Sequence, residues 1–367
     1  MGNPTIASII DVLERWAPPS LQEDYDNSGL QVGNLQGEAR AALVCIDCNE
    51  AVVMEAEREG CNLIICHHPV IFKGLKRLTG ANAVERTIEL ALRKNIAIYA
   101  IHTNLDNVID GVNGEIARRL GLKPLSVLDP RTDRLRKLAV FVPEAQAEAV
   151  RNALFESGAG RIGAYDQCSF NLSGTGTFRA GQGTEPFVGK VGERHSEAEV
   201  RVEVIYTVER ESAVLAAMRA VHPYEGVAYD LFLLANAHQG IGSGLLGELD
   251  KPMEECAFLD HVKQVLGQGN LRHSALTGAA IQRVAVCGGS GSFLIGKARA
   301  AGAQAFVTAD VKYHQFQEPD GALLLVDAGH WQTEQYTMHA IRDRLERNNP
   351  TFAVRLSGLN TDPIHYR

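Results

Sequence analysis

Short, continuous apolar runs alternate with helix-length amphipathic segments in the first and the last third of the chain. Runs of this kind are typical of strands that are buried on both faces of a parallel sheet. The predicted strands are Ala42–Asp47, Leu63–Cys66, Ile96–Ile101, Val284–Cys287, Ala305–Thr308 and Leu323–Val326, with helices near Glu50–Glu59, Asn82–Lys94 and Phe293–Ala301. Both regions are therefore predicted to be α/β structures that repeat one order of elements.

The middle of the chain, from about residue 135 to about residue 235, has a different pattern. Its predicted strands and helices are Leu138–Val142, Gln167–Leu172, Glu199–Thr207 and Val227–Leu234, and Glu144–Ser157 and Glu211–Val221. This β–α–β–β–α–β order is the ferredoxin-like arrangement. The glycine-rich polar stretch Gly174–Glu197 lies between its two halves, and we predict a mobile or partner-contacting loop there.

Side chains that bind metals follow three of the predicted strands. The carboxyl ends of parallel strands gather where ligands bind, and a histidine and a carboxylate four residues apart share one face of a helical turn. Imidazole and carboxylate suit zinc, iron or manganese, and a carboxylate can bridge two ions. A hydrogen-bonded polar cluster without metal is the alternative. The candidates are His67, His68, His102, Asp106, His330 and Glu334. Among them, His102 is either a direct ligand or an outer partner that orients one.

We predict that the middle segment interrupts one larger domain. The boundaries are 1–130 for the first half of an α/β metal-site domain, 131–238 for the ferredoxin-like insert, and 239–367 for the second half. The pair His102 and Asp106 and the pair His330 and Glu334 share one spacing and follow corresponding strands, which favours duplication. The predicted fold is thus two similar three-layer α/β half-domains that form one metal-site domain around the insert.

Two further features adjoin the predicted site, and a pair of cysteines lies elsewhere, at the end of the first predicted strand. Cys287–Ser292 is a glycine-rich turn between a strand and a helix, which either offers N–H groups to phosphate or is a tight turn without ligand. His314 is a proton donor, a substrate contact or a surface histidine. Cys45 and Cys48 have the C-x-x-C spacing, but a small buried hydrophobe at Cys45 is favoured over a redox or zinc role.

Composition narrows the function class. The chain has 367 residues, 22% of them charged, and a net charge of −8, so no basic field favours nucleic acid. Seven scattered cysteines do not form a disulfide framework. No apolar stretch is long enough for a bilayer, and the start of the chain, Met1 to Pro4, lacks the apolar region of a signal peptide. We therefore expect a cytoplasmic protein with no membrane partner.

Several segments resemble those of a known family, the Nif-three-like dinuclear metal proteins, whose members are commonly named GTP cyclohydrolase 1 type 2 homologues. The resemblance covers nearly the whole chain, and its middle is similar to a PII-like or CutA-like insert found in a longer branch. The segments are Asp26–Gly33, Cys66–Pro69, His102–Asp106, Asp310–His314 and Asp327–His330, with Gly163–Phe170, Gly174–Phe178 and His222–Glu225 in the insert.

The resemblance implies a di-metal centre and an assembly. Two divalent ions per chain (zinc, iron or manganese) would be held by His67, His68, Asp106, His330 and Glu334, with His102 close by. The implied assembly is a toroidal homohexamer with the inserts at its opening.

The implied function is a dinuclear metal-dependent hydrolase similar to the cyclohydrolases. A metal-bound hydroxide would attack a nucleotide or a related small molecule, and His102 or His314 would handle protons. The alternative is a non-catalytic metal-binding or metal-storage hub, hexameric, with an insert that senses a small ligand.

Overall fold

The structure is a computed structural model that describes residues 4–267 and 269–365, and it divides into two compact units. The first unit joins the chain up to Pro130 with the chain from Gly240 onward, and the second unit spans Arg131–Gln239. Among the described helices, none is long and apolar enough to cross a membrane.

Helices and strands alternate along the chain in three stretches. Up to Pro130 they are α1 (Ile6–Trp16), β1 (Gly29–Val32), β2 (Ala41–Cys45), α2 (Glu50–Arg58), β3 (Leu63–Cys66), α3 (Ala83–Arg93), β4 (Ala97–Ala100), α4 (Thr103–Asp106), α5 (Val112–Arg119) and β5 (Leu122–Pro130). The second unit contains β6 (Leu135–Pro143), α6 (Ala147–Glu156), β7 (Phe170–Arg179), β8 (Arg194–Thr207), α7 (Glu211–Val221) and β9 (Tyr229–Leu234). The last stretch contains β10 (Gly242–Met253), α8 (Glu255–Leu266), β11 (Arg272–His273), β12 (Ile281–Ser290), α9 (Ile295–Ala300), β13 (Ala305–Ala309), β14 (Leu324–Asp327), α10 (His330–Glu334), α11 (Thr337–Asn348) and β15 (Ala353–Leu356).

The first unit contains two sheets, one with four parallel strands and one with three. In the first sheet the order is β1-β4-β3-β2-β15, and β1 alone pairs antiparallel. In the second the order is β11-β14-β13-β12-β10-β5, with β12, β13 and β14 parallel to one another. The predicted α/β class is thus confirmed. Strand β15 comes from the C-terminal stretch and β5 from the N-terminal stretch, so each half of the chain lends one strand to the sheet of the other.

The apolar runs that predicted strands are buried along their whole length. Every residue of β3, β4 and β14 is buried, as expected for central parallel strands. Residues of both sheets, such as Ile65, Tyr99 and Val326, belong to one continuous core together with helices α1, α5, α8 and α11. Helices α2 and α3 cover the other face of the first sheet, and α9 covers the other face of the second. Both sheets therefore share a rigid interior, at whose edge the ends of β3, β4 and β14 emerge.

The chain leaves and re-enters the first unit at adjacent points. Strands β5 and β10 pair antiparallel, with Pro130 opposite Gly242 and Asp129 opposite Ser243. Gly242 has a φ of +148°, and a Cβ there would collide with the backbone of Asp129 and Pro130. The close approach of the two strands at this point therefore requires glycine.

The second unit is a four-stranded antiparallel sheet with two helices. Its elements follow the predicted β–α–β–β–α–β order, and the strands lie in the order β7-β8-β6-β9. Side chains of α6 and α7, among them Val150 and Met218, pack with Val140 and Val202 on one face of the sheet.

The prediction of a loop over Gly174–Glu197 is wrong at both ends. Strand β7 continues through Arg179 and β8 begins at Arg194, so only residues 180–193 connect them. A Cβ at Gly176 in this hairpin would meet the carboxylate end of the Glu199 side chain. Most of β7 is exposed, so its composition is polar and glycine-rich like that of a loop.

Candidate metal centre

Four histidine rings meet where strands β3, β4 and β14 end. His67 and His68 directly follow β3, His102 follows β4, and His330 begins helix α10 shortly after β14. The ring centroids of His67 and His68 lie 5.1 Å apart, and each is 5.3 Å from that of His102. The centroid of His330 lies 5.3 Å from that of His68. The histidines predicted from the sequence therefore form one cluster.

Two short helices bring the carboxylates to this cluster. His102 caps α4, whose single turn returns Asp106 toward His67, with 3.7 Å between His67 Nε2 and Asp106 Oδ1. Gly329 precedes α10 with a φ of +85°, which favours glycine. The helical turn that follows places His330 and Glu334 on one face, with 3.2 Å between Nε2 and Oε2.

Each histidine has its Nδ1 atom fixed by an oxygen acceptor, so that Nε2 is the nitrogen left for a ligand. The pairs are His67 with the Ile101 carbonyl at 2.8 Å, and His68 with Asp47, His102 with Asp26, and His330 with Asp310, each at 2.7 Å. Metal-binding histidines are oriented by such hydrogen bonds on the other ring nitrogen. The three aspartates were not predicted from the sequence, although Asp47 and Asp310 each follow a buried strand closely.

The centre of the cluster contains buried polar atoms without hydrogen-bond partners. Within the described residues these include Nε2 of His67, Nε2 of His68, Oδ1 of Asp106 and Oε2 of Glu334. His68 Nε2 lies only 2.9 Å from Glu334 Oε2, and the Glu334 side chain is 3% exposed. A neutral imidazole that donates from Nδ1 directs an Nε2 lone pair at this carboxylate, which is unfavourable unless a cation lies between them. The residues therefore fit a metal ion.

The pKa values of these groups reflect the same need for positive charge. Burial lowers the pKa of His68, but the hydrogen bonds with Asp47 and Glu334 outweigh it and raise this pKa to about 10. Burial also opposes protonation of His330, yet Glu334 and Asp310 raise its pKa to about 11. Burial raises the pKa of Glu334, and the neighbouring imidazoles hold it well below its ordinary value. The carboxylate is stable here only beside protons or a metal ion.

Two overlapping sets of side chains have ligand atoms close enough to hold a metal. The first is His67, His68 and His102, and the second is His68, His330 and Glu334, with ligand atoms within 4.8 Å of one another in each. Asp106 adjoins the first set through His67. The side chains that the sequence predicts as metal ligands thus lie around one centre in the first unit.

His314 lies outside this cluster. It is exposed in a short 3-10 turn, Tyr313–Gln317, and its ring contacts that of Tyr313. The residue of this segment that reaches the cluster is Asp310, whose φ of +54° places its carboxylate beside His330.

The glycine-rich segment Cys287–Ser292, which includes the end of β12, is explained by close packing against the centre. A Cβ at Gly289, whose φ is +56°, would collide with Glu334 Oε1 and lie 3.2 Å from the His330 ring. Gly289 also donates its N–H to Thr333 Oγ1 at 3.0 Å. These contacts are sufficient to explain the glycine at position 289, and no bound phosphate is needed to explain it.

Comparison with known proteins identifies the relatives of this chain. The family model described as Duf34/NIF3 (NGG1p interacting factor 3) matches residues 4–363. A protein of Halalkalibacterium halodurans named GTP cyclohydrolase 1 type 2 homolog is 39% identical, with 98% of each chain covered. A Bacillus subtilis protein of the same name is 37% identical, with 96% of each covered. The crystal structure of a Bacillus cereus protein related to NIF3 superposes with a TM-score of 0.87 at 36% identity, over all of both chains.

The outer carboxylates provide a test of the centre. We expect Asp47→Asn and Asp310→Asn each to weaken metal binding about 10- to 100-fold, because the amide orients the imidazole without its negative charge. Competition with a chelator, followed by elemental analysis, measures this change. The control is Asp250→Asn, which removes an exposed carboxylate paired with Lys123. Wild-type affinity in both variants would contradict the assignment.

Proposed function

Because the chain belongs to the Duf34/NIF3 family, we propose that it is a dinuclear metal-dependent hydrolase with chemistry similar to that of GTP cyclohydrolases. Its substrate would be a nucleotide or another phosphorylated or cyclic small molecule. The observation that carries the proposal is the convergence of imidazole Nε2 atoms on the buried Glu334 carboxylate, with the facing atoms lacking hydrogen-bond partners. The name of the curated relatives supports the reaction class.

The proposed ligands of the two ions follow from position and chemistry. His67 faces Glu334 Oε1 and lies beside Asp106, while His68 and His330 face Glu334 Oε2. Glu334 is therefore the carboxylate best placed to be shared between ions. Imidazole with carboxylate suits zinc, iron or manganese. Divalent ions at such a site acidify water and polarise a carbonyl or phosphoryl oxygen, which is the chemistry that hydrolysis requires.

His102 is the residue we propose for proton transfer. Its Nδ1 is held by Asp26, which also accepts hydrogen bonds from Thr103 and Ser28. Burial raises the pKa of Asp26, but the bonds with His102 and Thr103 outweigh it and hold this pKa below its ordinary value. A charged Asp26 holds the imidazole through Nδ1, so that Nε2 is the nitrogen left to accept or donate a proton.

An exposed loop beside the centre supports an anionic substrate. Residues 72–78 are exposed, and the loop begins at Phe72, whose ring centroid lies 6.4 Å from those of both His102 and Tyr25. The loop is tethered at one end, where Asn27 and Gln31 bind the backbone of Ile71. At its other end Glu85 accepts hydrogen bonds from Thr79 and Ala81.

The same loop carries positive charges that are not paired with carboxylates of the described residues. Lys73, Lys76 and Arg77 are exposed and form no ion pair within the described part of the chain. A cationic loop whose first residue is an aromatic side chain close to His102 suits a substrate that has both a planar ring and phosphate groups. This is the feature that favours a nucleotide among the substrate classes.

The first experiment combines metal content with a reaction. We expect about two equivalents of metal per chain by elemental mass spectrometry, and metal-dependent release of formate from GTP. Glu334→Gln should abolish release because it removes the shared carboxylate, whereas the exposed Glu346→Gln should retain it. Metal without formate from GTP would discard this reaction and favour the metal-binding hub. Failure to bind metal after reconstitution would contradict the whole proposal.

The loop has its own test. Replacing Lys73, Lys76 and Arg77 by alanine should weaken GTP binding roughly tenfold at low salt, and added salt should shrink the difference. Calorimetric titration measures both. The control removes three cations elsewhere in the first unit, with Arg15→Ala, Lys123→Ala and Lys251→Ala. Equal weakening in both triple variants would assign the effect to net charge and exclude a role for the loop.

We also propose that the chain forms a homohexamer. Strand β9 is an edge of its sheet, and Leu231, Phe232 and Leu233 are all exposed on it, with Leu233 76% exposed. An exposed apolar edge strand is usually covered by another chain. Light scattering should give a mass near six times 39.8 kDa. Leu233→Glu should lower that mass, and the mass of a single chain for the wild type would contradict the proposal.

A further inference from the structure

The chain continues past β15 as a strap, residues 357–365, that leads toward the metal centre. Strand β15 pairs with β2, and just after it the N–H of Gly358 donates to the buried carboxylate of Glu55 at 2.9 Å. From residue 359 onward the strap is exposed, except at Thr361 and Asp362, which are half-buried. These two adjacent residues are the points at which the strap meets the rest of the first unit.

Thr361 contacts the metal centre through Asp47. Its hydroxyl donates to Asp47 Oδ2 at 3.0 Å, while Asp47 Oδ1 lies 2.7 Å from His68 Nδ1. The terminal torsion of an aspartate is broad, so one hydrogen bond leaves the carboxylate free to turn. The second hydrogen bond, from Thr361, fixes the plane of the group that orients His68.

Asp362 contacts the other half of the centre. Gln332 lies in α10 between His330 and Glu334, and its side-chain amide donates to Asp362 Oδ2 at 2.7 Å. The other oxygen of Asp362 accepts the N–H of Ile364 at 2.9 Å, which holds this carboxylate within the strap. Helix α10 has only five residues, and so short a helix depends on contacts outside itself for its stability.

We propose that Thr361 and Asp362 are positioning residues of the metal centre, which hold His68 and helix α10 in the arrangement that binds metal. The two residues are adjacent, yet one acts on a histidine that follows β3 and the other on a helix that follows β14. These strands belong to separate sheets, so the strap joins the two halves of the centre. The proposal rests on the metal centre of the proposed function and not on the reaction.

Thr361→Val tests the first contact because it replaces the hydroxyl by a methyl group. We expect the affinity of the full-length chain for Zn²⁺, measured against a chelator, to fall about fivefold, since Thr361 is one contact further from the ligand than Asp47 is. Thr361→Ser restores the donor and should bind Zn²⁺ within about twofold of the wild type. The matched control is Thr351→Val, at an exposed threonine outside the strap.

Asp362→Ala tests the second contact in the same assay. It removes the acceptor of Gln332 and should also weaken Zn²⁺ binding about fivefold. The control is Asp260→Ala, which removes a carboxylate that is 79% exposed on helix α8.

Double-mutant cycles separate positioning from a general loss of structure. If Thr361 acts through Asp47, then Thr361→Val should cause no further loss of Zn²⁺ affinity in an Asp47→Ala background. Asp362→Ala should likewise cause no further loss in a Gln332→Ala background. Effects on the fold as a whole would instead multiply in both cycles.

Several outcomes would overturn the proposal. They are wild-type Zn²⁺ affinity in both Thr361→Val and Asp362→Ala, multiplied losses in both cycles, and failure of Thr361→Ser to restore binding. The expected losses without formate release from GTP would support the positioning role and discard the proposed reaction. A wild-type chain that binds no Zn²⁺ would overturn this proposal together with the metal centre.

Discussion

Removing the Glu334 carboxylate from water is unfavourable unless positive charge lies beside it. The surrounding structure is arranged to meet that condition. Two sheets bring the imidazoles of His67, His68 and His330 to this carboxylate, with His102 beside them. Asp26, Asp47, Asp310 and the Ile101 carbonyl fix the orientation of the four rings. The glycine at 289 lets the backbone approach where any side chain would collide. A bound metal ion would supply the positive charge that protons on the neighbouring imidazoles supply when no metal is bound.

The two units differ in the surface features that they present. In the first unit the centre lies at the ends of buried strands, where the backbone is rigid, and an exposed cationic loop adjoins it. In the second unit a sheet with helices on one face leaves a cavity with aromatic walls on the other.

Much of the fold and of the candidate metal centre could be predicted from the sequence. The physical basis of those predictions also explains which features could not be predicted. Continuous apolar runs identify β3, β4 and β14, and the polar residues after them identify the cluster. Asp26 lies far from His102 along the chain, and apolar periodicity carries no information about which side chains pair across such a distance. The sequence does not predict that β5 and β15 each join the sheet of the other half of the chain. The apolar pattern of an edge strand does not indicate which strand it pairs with. The sequence predicts the start of β7 as a strand but its part from Gly174 onward as a loop, because an exposed strand is as polar as a loop.

The pairing of Pro130 with Gly242 has an evolutionary consequence. Strands β5 and β10 form the arms of a hairpin, and the whole second unit occupies the position of its turn. The pairing of β5 with β10 already holds the two ends of the second unit together. The entropy cost of closing this long insertion is therefore offset by contacts that the first unit makes by itself. A module could therefore be gained, lost or exchanged at this point during descent while the interior of the first unit keeps its own contacts.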